Sequence, residues 1–302
     1  YYYWYYSLWF RYIFNRLGNG VRSTLNAKDL LNLLVPVPPR EEQIKISAII
    51  DEKIEKINQL ILNQQQQIQK LKEYKQSLIN EVVTKGLDPN VEMKDSGIEW
   101  IGKIPQDWDI DRLKFVSSSN DESLSAKTDP DIQVEYVDIG SVSQENGIEK
   151  TELYRFEDAP SRARRITQKN DIIISTVRTY LKAIAPVTKD NLIASTGFSV
   201  IRPNNKVDSI YLSYFLKSDY FTERVSAYSY GISYPAINNS VLISFDIVKP
   251  PLDIQKKTSK YLIQKTRQIN KIIEIKTSKI QQLNEYKKSI IYEYVTGKEA
   301  VS

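Results

Sequence analysis

Residues 38–84 read PPREEQIKISAIIDEKIEKINQLILNQQQQIQKLKEYKQSLINEVVT, and residues 250–296 read PPLDIQKKTSKYLIQKTRQINKIIEIKTSKIQQLNEYKKSIIYEYVT. The two segments align without a gap at a shift of 212 residues, and 20 of the 47 aligned positions are identical. An ungapped match of this length does not arise readily by chance. The chain therefore contains an internal repeat, and its two copies decide the architecture.

Each copy of the repeat reads as one long polar helix. The Pro-Pro pair fixes an extended entry, and Glu41 and Glu42 place carboxylates at the N-terminus of the first helix. Apolar residues follow heptad spacing, so each helix carries a stripe that needs a partner. The simplest partner is the other copy, in an antiparallel coiled coil, since a compact segment separates the two helices. A coiled-coil homodimer without further role is the alternative. The expected helix-pair core consists of Ile57, Ile61, Ile68, Leu71, Leu78, Ile269, Ile273, Ile280, Leu283 and Ile290.

The repeat extends weakly upstream of each helix, so the repeating unit is a globular domain followed by a helix. We expect five segments: 1–37, the C-terminal part of a first globular domain; 38–86, the first helix; 87–97, a linker; 98–249, a complete globular domain; 250–302, the second helix. Strand-like runs lie at 134–139, 171–177, 183–187, 198–201 and 243–248, and a helix is predicted at 209–228. The fold class is therefore α+β: mixed α/β domains plus two long helices.

Composition excludes several kinds of chemistry. The chain of 302 residues has no Cys and no His, so it cannot form disulfides, Cys/His zinc sites or histidine general bases. Lys and Arg outnumber Asp and Glu by 42 to 37, which permits a nucleic-acid partner without requiring one. No apolar run approaches the roughly 20 residues of a membrane span. The tripeptide Glu92-Met93-Lys94 has the Glu-x-Lys form of a nuclease metal site, but it lies in the linker.

Met93 is the only methionine, so position 1 is not an initiator. We expect a fragment that begins inside its first globular domain. If both domains have equal length, about 119 residues are missing from the first. The alternative is a naturally truncated protein, which could assemble as a homodimer.

Charge is unevenly distributed within the complete domain. Residues 99–158 carry 6 basic and 15 acidic side chains, whereas residues 159–249 carry 12 basic and 6 acidic ones. Arg and Lys neutralise phosphates, and Tyr, Ser and Asn supply groups that read base edges. A solvated basic face with core tyrosines, and Asn238 as a helix cap, remain the alternative. The candidate DNA contacts are Arg162, Arg164, Arg165, Lys169, Arg178, Tyr180, Lys182, Tyr228, Tyr230, Ser233, Tyr234 and Asn238, and in the first domain Arg16, Asn19, Arg22 and Ser23.

Several strings together resemble the specificity (S) subunit of type I restriction–modification systems. They are SGIEWIGKIPQDWDIDRLKFV at 96–116, NDIIISTVRTYLKAIAPV at 170–187, NLIASTGFSVIRP at 191–203, SYGISYPAINNSVL at 229–242, PPREEQIKISAII at 38–50 and LKEYKQSLINEVVTKGL at 71–87. The resemblance implies a protein without catalysis of its own. Two target recognition domains would each read half of a split site on double-stranded DNA, and the paired helices would set the gap between the halves.

The resemblance also implies partners. The helices would dock methyltransferase (M) subunits, and translocating restriction (R) subunits would join that complex. S-adenosylmethionine, ATP and Mg are then expected only in the partner subunits, with no cofactor in this chain and a cytoplasmic location. Two rival interpretations are a coiled-coil scaffold whose globular domain binds protein, and the recognition region of a fused single-chain restriction enzyme.

Overall fold

The computed structural model describes residues 1–17 and 26–300. Its helices are α1 Tyr2–Phe10, α2 Ile13–Leu17, α3 Ala27–Leu31, α4 Arg40–Lys85, α5 Leu113–Val116, α6 Ser209–Leu216, α7 Asp219–Ala227, α8 Asn239–Leu242 and α9 Leu252–Val295. Its strands are β1 Met93–Asp95, β2 Lys103–Pro105, β3 Asp109–Arg112, β4 Ser117–Ser119, β5 Gln133–Val137, β6 Val142–Ser143, β7 Gly147–Ile148, β8 Glu152–Arg155, β9 Ala163–Ile166, β10 Ile172–Ser175, β11 Ile184–Pro186, β12 Leu192–Ser195, β13 Phe198–Pro203 and β14 Asp246–Lys249. The predicted α+β class with two long helices is confirmed. Within the described ranges, no helix is long and apolar enough to cross a membrane.

The chain divides into two compact units. One contains Tyr1–Lys72 and the chain from Gln268 onward, and the other is Glu73–Arg267. Both divisions fall inside the long helices α4 and α9, rather than at the ends of the predicted globular domain.

The first unit contains the helix pair. Ile57 packs against Leu283 and Ile290, and these three buried side chains are flanked by Ile61 and Tyr294. Residues early in α4 thus meet residues late in α9, which makes the pair antiparallel. Of the other expected core residues in this unit, Ile269 is buried, and the half-buried ones are Ile61, Ile68, Leu71, Ile273 and Ile280; Leu78 is buried within the second unit.

The polar interruptions of the heptads also meet in this unit. Lys276 Nζ donates to Gln64 Oε1 at 3.2 Å, and Lys287 Nζ donates to Asn58 Oδ1 at 3.0 Å. A polar residue at a core position of a coiled coil specifies register, and here Gln64, Lys276 and Lys287 are half-buried while Asn58 is exposed. These pairs therefore favour one alignment of the two helices over a sliding apolar seam.

The second unit is built on two four-stranded sheets. One is antiparallel with order β11-β10-β13-β4, and the other has order β8-β5-β12-β9 with β5 and β12 parallel. The main apolar cluster includes Val137 and Leu192 from the second sheet and Ile173, Phe198 and Val200 from the first. The last strand of this unit, β14, pairs antiparallel with β3, which lies near the beginning of the predicted globular domain.

Two sequence expectations differ from the structure. The helix predicted at 209–228 is two helices, because the buried Ser218 takes extended backbone at the N-cap position of α7, and its Oγ donates to the carbonyl of Phe215 at 2.6 Å rather than capping α7. The end of the expected linker, Met93–Asp95, is strand β1 and pairs with Lys103–Pro105. Strands of two to four residues are too short for a readable alternation of apolar and polar residues, so most were not predicted.

Hydrogen bonds at the helix ends repeat with the sequence. The amide of Gln43 donates to the carbonyl of Pro38 at 2.8 Å, and that of Gln255 donates to Pro250 at 2.7 Å. Near the other ends, the hydroxyls of Thr84 and Thr296 each donate at 2.7 Å to the carbonyl four residues earlier. Several identities in the repeat therefore preserve helix entry and exit.

Buried polar contacts hold the start of α6 to both long helices inside the second unit. The hydroxyl of Tyr211 donates to the carbonyls of Val83 at 3.0 Å and Val248 at 2.9 Å, and burial raises its pKa. The N–H of Asp208 donates to Gln255 Oε1 at 2.7 Å. Removing Tyr211 would leave buried carbonyls without donors, which costs more than the bond itself contributes.

Candidate nucleic-acid interface

Two loops of the second unit cross and bind each other. Residues 176–182 follow β10, and residues 228–238 follow α7; we call these the crossed loops. The N–H of Ile237 donates to the carbonyl of Thr176 at 2.9 Å, and Val177 forms a bridge with Ala236. The hydroxyl of Thr179 donates to Ser229 Oγ at 2.8 Å. Contacts between residues 50 to 61 positions apart thus join the two loops.

The second crossed loop is closed like a hairpin. Tyr230 and Ala236 exchange two backbone hydrogen bonds of 2.9 Å, which leaves a five-residue turn between them. Gly231 has φ +115°, and a Cβ there would lie 3.1 Å from the carbonyl oxygen of Tyr234. A side chain at Gly231 would therefore be strained. The turn presents Tyr230, Ile232 and Tyr234 to solvent.

The first crossed loop is a short 3₁₀ turn held between two left-handed residues. Arg178 has φ 55° and Lys182 has φ 47°, while the buried Thr179 anchors the turn. Left-handed backbone costs roughly 1–2 kcal/mol for such residues and persists only where surrounding contacts impose it. Arg178 and Tyr180 of this turn are exposed, and Lys182 is half-buried. The guanidinium of Arg178 lies 5.0 Å from the ring centroid of Tyr234, which joins the two loops.

The charged residues of the crossed loops are all basic. The crossed loops contain Arg178 and Lys182 and no Asp or Glu. The nearest carboxylate partner of Lys182 is Asp219 on α7, with Nζ 3.8 Å from Oδ1. That separation is long for a hydrogen bond, so Lys182 keeps donor capacity for another acceptor.

Arg162 is placed beside the crossed loops by the backbone. Its carbonyl accepts the N–H of Thr196 at 2.8 Å, and the carbonyl of the next residue, Gly197, accepts the N–H of Thr176 at 2.8 Å. The backbone of Arg162 is thereby linked to that of Thr176 through Thr196 and Gly197, and its side chain is exposed. The combined surface offers guanidinium groups, an ammonium group and tyrosine hydroxyls, the groups that contact phosphates and base edges.

A match to a protein-family model also points to DNA recognition. Residues 105–285, more than half of the chain, match the model described as "Type I restriction modification DNA specificity domain". The chain belongs to this family. Both crossed loops lie inside the part of this specificity-domain protein that matches.

Individual relatives agree with the assignment. The type I restriction enzyme MjaVIII specificity subunit of Methanocaldococcus jannaschii is 27% identical over 290 residues, which cover 93% of this chain and 65% of the relative. The MjaX relative from the same organism is 29% identical over 301 residues, covering 96% of this chain and 64% of the relative. The specificity-domain chain thus spans slightly less than two thirds of the length of these relatives.

Solved structures share the fold. A chain from a study of "complex assembly and conformational transition of the type I R-M system" superposes with a TM-score of 0.69 at 19% identity, covering 92% of this chain and 66% of that chain. The HsdS subunit from Thermoanaerobacter tengcongensis superposes with a TM-score of 0.53 at 18% identity, covering 93% of this chain and 65% of that one.

Three of the predicted basic contacts are not brought to the crossed loops of the specificity domain. Arg164 on β9 stacks 4.7 Å from the ring of Phe156, and Arg165 donates to Ser123 Oγ at 3.3 Å. Both are half-buried. Lys169 lies in the turn before β10, where its backbone N–H donates to Asp190 Oδ1 at 2.8 Å. These contacts give Arg164 and Arg165 local packing roles in the sheet.

The other predicted residues have distinct places in the domain. Tyr228 packs edge-on against Phe245, with ring centroids 5.3 Å apart, so only part of its ring is open. Ser233 lies exposed in the turn, and Asn238 is exposed at the N-cap position of α8 without a side-chain capping bond. In the first copy, Arg16 is exposed on α2. Asn19, Arg22 and Ser23 lie outside the described residues.

The structure also adds a residue that the sequence prediction omitted. Ile232 is fully exposed in the turn of the second crossed loop. Its only signal in the sequence is an apolar residue directly after a glycine, which is too weak to single out. No cluster of three or more Asp or Glu side chains suited to a metal ion occurs in residues 1–17 and 26–300.

Proposed function

We propose that this chain is the DNA-recognition part of a type I restriction–modification specificity subunit and that the crossed loops read one half of its site. The carrying observation is the pair of crossed loops, which contain Arg178 and Lys182 but no Asp or Glu, and in which Arg178 lies against the exposed Tyr234. The DNA site is also proposed to be bipartite, with a fixed gap between its two halves. Membership of the family and the resemblance of the two long helices to those of the S subunit support this.

The proposal assigns catalysis to other subunits. Methyl transfer would be carried out by M subunits with S-adenosylmethionine, and ATP-driven translocation and cleavage by R subunits with Mg, all in the cytoplasm. The relatives are named specificity subunits, which supports a non-catalytic role. This chain would contribute sequence choice and assembly.

The repeat supports docking of two like partners on the helices. Tyr74 and Tyr286 occupy equivalent positions and are exposed to 57% and 56%. Leu60 and Ile272, also equivalent, are both exposed as well. Exposed aromatic residues are enriched among the anchors of protein interfaces. Their retention in both copies supports the M subunit as the partner, bound twice.

The test is DNA binding with a salt series. Binding sequences are selected from random duplexes with the chain in complex with its M subunits, and affinity is then measured between 50 and 200 mM NaCl. A reader that contacts 6–10 phosphates loses roughly 10³- to 10⁵-fold affinity over that range. Selection of no sequence, with affinity independent of salt, would support the scaffold that binds protein and would overturn the proposal.

Methylation mapping of a strain with and without the gene tests the same proposal in the cell. A split, asymmetric methylated motif that disappears on deletion is expected. A motif whose halves are inverted copies would instead indicate a subunit that acts as a homodimer. An unchanged methylome would contradict the assignment to DNA recognition.

A further inference from the structure

Ile232 stands at the outermost point of the second crossed loop. Its relative exposure is 104%, and its neighbours Tyr230 and Tyr234 are exposed to 80% and 60%. Scattered exposed apolar residues are ordinary on protein surfaces. A fully exposed isoleucine held between two exposed tyrosines on a closed turn is a different arrangement, because the fold presents all three together.

We propose that Ile232 recognises thymine by packing against its 5-methyl group in the major groove of the DNA half-site. This inference rests on the proposed DNA-recognition function and adds a specificity-determining residue to it. Thymine is the base that offers a methyl group in the major groove, and proteins read that group by apolar contact.

The turn is organised before any ligand arrives. The paired hydrogen bonds between Tyr230 and Ala236 close it, Gly231 supplies its φ of +115°, and Pro235 stiffens its exit. Arg178 supports the far side through its contact with Tyr234. Because folding has already ordered these residues, contact by Ile232 does not require a further loss of backbone entropy.

The charge around Ile232 favours DNA over an ordinary protein partner. The crossed loops carry Arg178 and Lys182 and no carboxylate, and the neighbouring Asp219 on α7 pairs with Lys182. The apolar tip suits contact with the thymine methyl group. The cation and the tyrosine hydroxyls beside it suit contact with base edges and neighbouring phosphates. A closed two-stranded turn also has the width that the major groove admits.

The experiment removes the methyl group alone. In the selected DNA, each thymine is replaced in turn by deoxyuridine, and affinity is measured for the chain in its M-subunit complex. Burying one methyl-sized group changes affinity by about fourfold. We expect one position at which deoxyuridine lowers affinity of the unmodified protein by about fourfold. Ile232→Ala is expected to bind thymine and deoxyuridine equally there, and Ile232→Val to keep part of the difference.

Leu153→Ala is the matched control, since Leu153 is another exposed aliphatic residue of the same unit, on the edge strand β8. It should retain the full sensitivity to deoxyuridine. An equal sensitivity of Ile232→Ala and unmodified protein at every thymine would overturn the inference. A loss of affinity in Ile232→Ala with no thymine-specific component would do so too, and would instead indicate insertion between base steps.

The two proposals fail in different ways. If the unmodified complex selects no DNA sequence, DNA recognition itself is wrong and the thymine contact falls with it. If it selects a sequence but the Ile232 variants behave as the control does, only the role of Ile232 is wrong. Loss of binding to a protein subunit in Ile232→Ala, with DNA affinity unchanged, would reassign the tip to a protein interface.

Discussion

Lys276 Nζ donates to Gln64 Oε1 at 3.2 Å, and these two residues occupy equivalent positions in the two copies of the repeat. In an antiparallel pair, a residue faces its own equivalent only where the local two-fold axis crosses the pair. The axis of the repeat therefore passes between Lys276 and Gln64. The two helices present equivalent positions of the repeat on either side of this point, in opposite directions.

The proposed spacer function predicts the effect of lengthening α4 at this axis. Insertion of four residues between Gln65 and Gln66 adds about 6 Å to α4. Either Gln64 then moves away from Lys276, or the part of α4 after the insertion moves along α9. We expect the gap between the methylated half-sites to change, or DNA binding to be lost, as measured by methylation mapping. Replacement of the exposed Gln65 and Gln66 by alanine keeps the length and the contact between Gln64 and Lys276, and should leave the gap unaltered. An unaltered gap after the insertion would contradict the spacer role.

The helix-pair core predicts a stability difference between two residues on one helix. Ile57 is buried against Leu283 and Ile290, so Ile57→Ala should lower the free energy of unfolding by about 2–4 kcal/mol. Leu62→Ala is the control, because Leu62 is 54% exposed, and it should change stability by less than about 0.5 kcal/mol. Denaturant titration of both variants measures the difference. Equal effects would show that the pair does not depend on this core.

The crossed loops predict a change in DNA affinity at Arg178. Arg178→Gln removes the charge while keeping most of the side-chain stem, so DNA affinity should fall about tenfold and the slope of log K against log [salt] should become shallower by about 1. Thermal stability should change little, since the side chain is exposed. Arg155→Gln is the control, because Arg155 already pairs with Asp131 and Glu157. The same salt slope in both variants would exclude a phosphate contact for Arg178.

Replacement of Arg164, unlike that of Arg178, should change the stability of the protein and not its DNA binding. Its guanidinium stacks on Phe156 within the sheet, so Arg164→Ala should lower the free energy of unfolding by about 1 kcal/mol. The salt slope of DNA binding should remain that of the unmodified protein. A reduced slope with unchanged stability would place Arg164 among the DNA contacts after all.

The lowered pKa of Lys217 leads us to expect that its contribution to the stability of the protein rises at alkaline pH. Burial, together with the charge of Lys75, lowers the pKa of Lys217 to about 8. The unfolded chain, with an ordinary lysine pKa near 10.4, binds more protons than the folded chain between about pH 8 and pH 10. The contribution of Lys217 to stability therefore rises with pH across that window.

Replacement tests this directly. Lys217→Met removes the cost of a buried charge and should raise the melting temperature at pH 7, with a smaller gain at pH 10. Lys257→Met, at an exposed position on α9, serves as control and should show no such dependence. A gain for Lys217→Met that is the same at both pH values would indicate packing rather than ionisation as the cause.

The sequence predicted the elements whose signals are long and local. Heptad spacing over more than forty residues, bounded by Pro-Pro and by Gly86, indicated both ends of α4 and the start of α9 to within two residues, whereas the predicted segment 250–302 extends past the end of α9 at Val295. The apolar runs of β10 and β13 were equally readable. The break in the predicted helix at 209–228 was missed, because it depends on Ser218 being buried and bonded to Phe215.

The sequence by itself determined the internal repeat, the two long helices and the family, since each rests on identities or periodicities that neighbouring residues carry. The tertiary structure alone decided which candidate cations share a surface. Arg178 meets Tyr234 through hydrogen bonds between loops that lie about fifty residues apart, whereas Arg164 and Arg165, close in sequence to Arg162, are half-buried on a strand. Side chains alternate across a strand and loops meet only after the sheets pack, so proximity along the chain did not predict proximity at the surface.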